Sequence, residues 1–213
     1  SVPTSPWGRG GRTGAWTASD WDRKVRHGVN PEGLGGFMPS DDFVGMSDQE
    51  LADVIAYIRS FPPVDKPSAP TSFGPVGRLL VAFGELTLPA ERYASSTDHP
   101  AEPPAAAATL EFGAHLSQVC TGCHRETLQG GPQAGAPPDW ATPANLTTGP
   151  GGTFGSYDLE GFDRLMRTGL RPDGTAVKAP MDLMPKYAAA MTPTEIEALF
   201  LYLRSLPPLP TGV

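Results

Sequence analysis

The sequence predicts a mostly α-helical, loop-rich chain built on an internal repeat. Apolar residues recur at helical spacing in 51–58, 110–116 and 196–203. Gly and Pro number 25 each, which breaks the chain into short elements joined by irregular loops. Two stretches near the start of the chain reappear near its end. "WDRKVRHGVNPEG" (21–33) aligns without a gap on "FDRLMRTGLRPDG" (162–174), and "GMSDQELADVIAYIRSFPPV" (45–64) on "AMTPTEIEALFLYLRSLPPL" (190–209). Between them each copy carries a Met-Pro pair, "FMPSDDF" in the first and "LMPKYAA" in the second. Such self-similarity marks one structural unit used twice.

Each copy closes on a helix with explicit start and stop signals. In the second, Thr192 suits the N-cap, Pro193 the first helical position and Glu195 the third, a capping box. Ser47 and Glu50 do the same in the first. Leu51, Val54, Ile55 and Ile58 form one apolar stripe, and Ile196, Leu199, Phe200 and Leu203 the other. Both helices stop at a Pro-Pro pair. A further amphipathic stretch, "TLEFGAHLSQVC" (109–120), puts Leu110, Gly113 and Leu116 on one side. Gly113 would admit a second helix at close range, and the partner expected is the 194–206 helix through Tyr202 and Leu203. These stripes are core packing and need not touch a ligand.

Composition excludes several classes of function. The net charge of −7 is spread along the chain, with no basic patch for nucleic acid. The apolar run near Leu79–Phe83 is far too short to span a bilayer. The opening "SVPTSPWGRGG" is not a signal peptide. Hydrophobic content of 39% with 8% aromatics argues against a large all-protein core, and a small helical domain then needs an added staple.

The chemistry is concentrated in "SQVCTGCHRE" (117–126), which holds the only two cysteines. Cys120 and Cys123 with His124 read as Cys-x-x-Cys-His. A structural zinc site needs four ligands, and there is no second pair. A thioredoxin-type pair belongs in a βαβ context that is missing here, and a surface disulfide leaves His124 unexplained. Covalent haem uses all three residues: two thiols bonded to the macrocycle and an imidazole beneath the iron. Attachment of this kind implies export, to the periplasm or another extracytoplasmic space.

These residues resemble the class I c-type cytochromes, and the resemblance covers 109–213: a first helix, Cys-x-x-Cys-His, a Pro/Gly-rich loop, "ANLT", a short helix, a Met-Pro loop and a last helix reading "YLRSLPP". The tandem arrangement is similar to that of bacterial multi-haem cytochrome subunits. The resemblance implies a helical cytochrome c-like domain around haem c, with His124 as proximal ligand and a downstream Met as distal ligand. It also implies that a loop proline, Pro137 or Pro138, offers its carbonyl to the other imidazole nitrogen of His124. Trp140 and Asn145 are candidates for haem propionate contacts, with loop packing as the alternative.

Met184 is the expected sixth ligand. It matches Met38 of the first copy, and both precede a proline that stiffens the loop. Met166 matches Val25, which cannot ligate, and Met191 immediately precedes a helix cap, where a packing role is expected. Met181 and an open sixth position are the alternatives. A thioether raises the potential, and two filled axial sites deny oxygen or peroxide a place to bind, so electron transfer is favoured over catalysis.

The first copy, 1–64, lacks the attachment motif, since the position matching Cys120 would fall before residue 1. The expectation is an upstream segment with its own Cys-x-x-Cys-His and a second haem near Met38. The alternatives are a docking module that has lost its haem, or a separate chain that supplies the missing part. Residues 65–108 read as a connector ending in a Pro/Ala-rich stretch, and 109–213 as the complete domain. The function expected is an electron carrier, not an enzyme. It would serve redox protein partners as a subunit of a respiratory, photosynthetic or dehydrogenase complex, bind no nucleic acid, and meet a membrane only through a missing segment or a partner. The rivals are a haem peroxidase or oxidase with an open sixth site and a docking subunit whose haem is structural.

Overall fold

Eight α-helices and three short 3-10 turns carry the described residues of a computed structural model, which are 8, 11, 13–33, 35, 39–63, 65, 74–84, 87–96, 98–133 and 136–212. Among them strand pairing is confined to three isolated bridges. Met38 lies outside the described residues. The chain divides into two units, 1–103 and 104–213.

In the second unit, α5 (Leu110–His124) and α8 (Pro193–Ser205) cross where the sequence places a glycine. A methyl group on Gly113 would collide with the carbonyl oxygen of Ala198 and stand 2.7 Å from Tyr202 Cβ. Gly113 therefore lets the two backbones approach, at a conformational cost that the packing offsets. The capping box of α8 forms as expected: Glu195 N donates to Thr192 Oγ1 at 3.3 Å, and Thr192 N donates to the Glu195 carboxylate at 2.6 Å. The stripe of α8 buries Ile196, Leu199 and Leu203, each worth about 1.5–3 kcal/mol of transfer free energy. They join Phe154, Phe162 and Met166 in one core. Phe154 lies edge-on to Phe162 at 5.3 Å and tilted against Phe200 at 5.5 Å. Phe162 and Met166 come from α6 (Leu159–Thr168), which also packs on α7 (Met184–Ala188).

In the first unit, α1 (Ala18–Val25) packs on α2 (Asp48–Ser60) around Trp21, Val25 and Leu51. Ser47 and Glu50 form the expected capping box on α2, with Glu50 N donating to Ser47 Oγ at 3.2 Å and Ser47 N to the Glu50 carboxylate at 2.8 Å. The first turn of a helix leaves N–H groups without intrahelical acceptors. Here the Pro100 and Ala101 carbonyls accept from Asp48 N and Gln49 N. The connector also contributes α3 (Pro75–Ala82) and α4 (Pro89–Tyr93). α4 packs on the turn Ser40–Asp42, where Tyr93 Oη donates to Asp41 at 3.0 Å and Arg92 pairs with the same carboxylate.

The same local arrangement occurs in both units. Arg26 Nε donates to Asp22 at 2.6 Å and its Nη1 to the Met46 carbonyl at 2.9 Å. Arg167 Nε donates to Asp163 at 2.8 Å and its Nη2 to the Met191 carbonyl at 3.2 Å. Gly169 caps α6 at φ +71°, and Gly28, two residues past the cap of α1, has φ +70°. Next come antiparallel bridges, Val29 with Gly35 and Leu170 with Ala176.

Candidate cofactor site

The last turn of α5 carries Cys120, Cys123 and His124. Cys120 and Cys123 are three positions apart on a helix and share a face. Cys120 is half-buried and packs on the core of the second unit, while Cys123 is exposed. The helix ends at Arg125, φ +68°, and Gly130 N then donates to the His124 carbonyl at 3.0 Å.

That loop determines the environment of the imidazole. Residues 128–131 run beside 143–146, with Leu146 N donating to Leu128 O at 2.8 Å and Gly131 N to Pro143 O at 3.0 Å. Gly130, at φ +62°, meets the carbonyls of Pro143 and Ala144 where any Cβ would collide. The pairing aims the Ala144 carbonyl at His124, whose Nδ1 lies 2.7 Å from it. A carbonyl only accepts, so Nδ1 carries the hydrogen and Nε2 of the neutral ring keeps its lone pair. Burial pushes the His124 pKa below its ordinary 6.5, with the Ala144 carbonyl acting in the opposite sense. The ring is thereby held as a neutral Nε2 donor, the form that binds a metal.

The carbonyl expected from Pro137 or Pro138 is thus supplied by Ala144, six residues beyond Pro138 in the same loop. Pro138 is exposed, and Pro137 O instead accepts from Trp140 N at 3.0 Å in a local turn. Trp140 is 42% exposed. Asn145 is buried and committed to the backbone: its Nδ2 donates to Leu209 O at 2.8 Å, and its Oδ1 accepts from Thr147 N at 2.9 Å. Those bonds tie the "ANLT" loop to the C-terminal tail, the packing role weighed against propionate contact. Thr147 adds to the tie by donating from its Oγ1 to Leu209 O at 3.0 Å, which the sequence did not single out.

Met184 is the first residue of α7, half-buried against the same core as Cys120. Ala141 N donates to Ala179 O at 3.0 Å, which joins the loop from His124 to the segment leading into the Met-Pro pair. Met181 is half-buried in the preceding 3-10 turn. Met191 precedes the cap of α8 and packs on the core, and Met166 is buried within it. The donor set present, two helical thiols and a neutral imidazole with its Nε2 free of the Ala144 bond, fits a covalently bound haem.

No curated protein matches the chain. Among the described residues no helix is long and apolar enough to cross a membrane. Residues 110–207 match the family model described as cytochrome c. Domains of that family carry covalently bound haem c, are typically extracytoplasmic, and are generally electron carriers and not enzymes. The helical fold and the attachment motif are consistent with that match over residues 110–207, which supports a c-type cytochrome and haem-based electron transfer.

Proposed function

We propose that the chain is an exported electron carrier in which Cys120 and Cys123 hold a haem by thioether bonds, with His124 and Met184 as axial ligands. Each thiol adds across a vinyl C=C, sulfur to one carbon and hydrogen to the other, so attachment needs no oxidant. The observation that carries the reading is the half-buried His124 ring with Nδ1 held by Ala144 and Nε2 left as a lone pair. The haem supplies a one-electron couple at iron. The chain's own residues hold the imidazole neutral and in one orientation, and exclude water through the core formed by Phe154, Phe162, Leu199 and Leu203. A thioether from Met184 would favour the reduced iron.

The protein serves as a relay between redox protein partners, as a subunit of a respiratory, photosynthetic or dehydrogenase complex. Val119 on α5, Leu183 beside the Met-Pro pair and Tyr187 on α7 are exposed apolar residues on the elements that carry the motif and Met184, which supports short-range docking there. The paired arrangement of Arg26 with Asp22 and Met46, and of Arg167 with Asp163 and Met191, supports a tandem of two cytochrome c units. In that arrangement Met38, which precedes Pro39 as Met184 precedes Pro185, serves a second haem. Pyridine haemochrome absorbance against protein mass, on the protein isolated from its source, tests both parts. Two haems per chain are expected. One haem removes the role given to Met38, and none removes the whole proposal.

A further inference from the structure

The first unit holds a cluster that electron transfer does not use: Asp22 in α1, His27 just after it, and His99 in the connector. One ligand atom from each lies within 4.8 Å of the other two. The imidazoles meet edge-on, with centroids 5.1 Å apart. His27 Nδ1 lies 2.6 Å from the Tyr93 carbonyl, so it carries the hydrogen, and Nε2 lies 3.5 Å from Asp22 Oδ1. The His99 ring bonds the Val44 backbone, a contact that favours its protonated form and therefore places a donor against the carbonyl. Its Nε2 is buried with no hydrogen-bond partner among the described residues, so Nδ1 makes that bond.

Both rings therefore set a nitrogen on the backbone, Nδ1 of His27 on Tyr93 and the His99 ring on Val44, and each brings one ligand atom within 4.8 Å of the other and of the Asp22 carboxylate. These backbone contacts leave Nε2 of His27 and the unpartnered Nε2 of His99 as the ring nitrogens able to bind a cation beside the Asp22 carboxylate. Backbone carbonyls on Nδ1 are also the usual outer support of metal-binding histidines. Burial, with Arg26 and His27 adding to it, pushes the His99 pKa below its ordinary value, which keeps its lone pair available. Asp22 Oδ1 accepts from Arg26 Nε at 2.6 Å, and that guanidinium is balanced by Asp48 at 2.7 Å. The net charge of this set, with neutral rings, is one negative, as a divalent cation prefers.

We propose that Asp22, His27 and His99 form a binding site for a first-row divalent cation of the zinc type. Two imidazoles and one carboxylate are a borderline donor set suited to zinc, with metal–ligand bonds near 2.0–2.2 Å and a fourth position left for water. Donors around such an ion stand about 3.3 Å apart, so the side chains need a small rotation to close on it. The ion staples the connector to α1. The second copy gives an internal comparison, because Thr168 occupies the position of His27.

The test uses the full-length, tag-free protein with its haem, stripped by a chelator that leaves the haem iron in place. Equilibrium dialysis against zinc chloride, with zinc and iron counted by mass spectrometry, should give one saturable zinc per chain. His99→Ala and Asp22→Asn should each weaken it by about tenfold or more, while Thr168→Ala leaves it unchanged. Zinc should raise the thermal unfolding midpoint of the wild type but not of His99→Ala, and X-ray absorption at the zinc edge should show two imidazoles. Circular dichroism before titration checks that each variant is folded. If wild type binds no zinc saturably, or folded His99→Ala and Asp22→Asn bind it as tightly as wild type, the site does not exist.

Discussion

His124 Nδ1 lies 2.7 Å from the carbonyl oxygen of Ala144, and Gly130 is what lets that carbonyl come so close. The bond fixes the tautomer and makes the imidazole a stronger donor to a metal. Gly130→Ala adds a Cβ that collides with the carbonyls of Pro143 and Ala144 at a positive φ. It should lower stability by about 1–3 kcal/mol and raise the haem potential, because a weakened bond makes His124 less basic. Denaturant midpoints and a potentiometric titration read the two effects. Unchanged values in both would mean that the Ala144 contact does not matter.

The crossing of α5 and α8 should tolerate no side chain at Gly113. Gly113→Ala would drive a methyl into the Ala198 carbonyl and the Tyr202 side chain. A cost of about 3 kcal/mol is expected, at the upper end for overpacking, measured as a lower urea midpoint with an unchanged slope.

Met191 should matter for packing alone. It precedes the cap of α8 and packs against the core that contains Ile196. Met191→Ala should cost about 1–3 kcal/mol, since the side chain is only partly buried, and leave the haem spectrum unchanged. A changed axial ligand in this variant would show that the choice among methionines is mistaken.

His99 should make the first unit sensitive to acid in chelator-treated protein. Its folded-state pKa is lowered from 6.5, chiefly by burial. A depressed base binds its proton less readily in the folded than in the unfolded chain. Its contribution is therefore complete above about pH 6.5 and declines as pH falls from there toward the lower folded value. The groups facing it are Arg26, His27 and Asp22. His99→Asn should flatten the part of the stability-versus-pH curve below 6.5, and an unaltered curve would contradict the assignment.

The helices and their ends were legible because they rest on side-chain chemistry: Ser47 with Glu50, Thr192 with Glu195, and the stripes from Leu51 and Ile196 onward. The role of Gly113 was legible too, since a small residue inside an apolar stripe implies close approach. The acceptor for His124 was not. A backbone carbonyl has no residue signature, and its aim depends on how Leu128 and Gly130 pair with Ala144 and Leu146. Asn145 was ambiguous for a related reason, since its partner is the backbone of the distant Leu209. The meeting of His27 with His99 was not legible either, because a connector brings the two together and no repeat or spacing marks it.

The measurement that bears most directly on electron transfer through a haem bound by His124 and Met184 is the ferric absorption spectrum of the wild type and of Met184→Ala. The wild type should be low-spin, with a sulfur-to-iron band at the red end of the visible range that persists on adding cyanide at low concentration. Met184→Ala should lose that band and show a lower potential. A high-spin wild-type spectrum with rapid cyanide binding, or a band that survives in Met184→Ala, would contradict it.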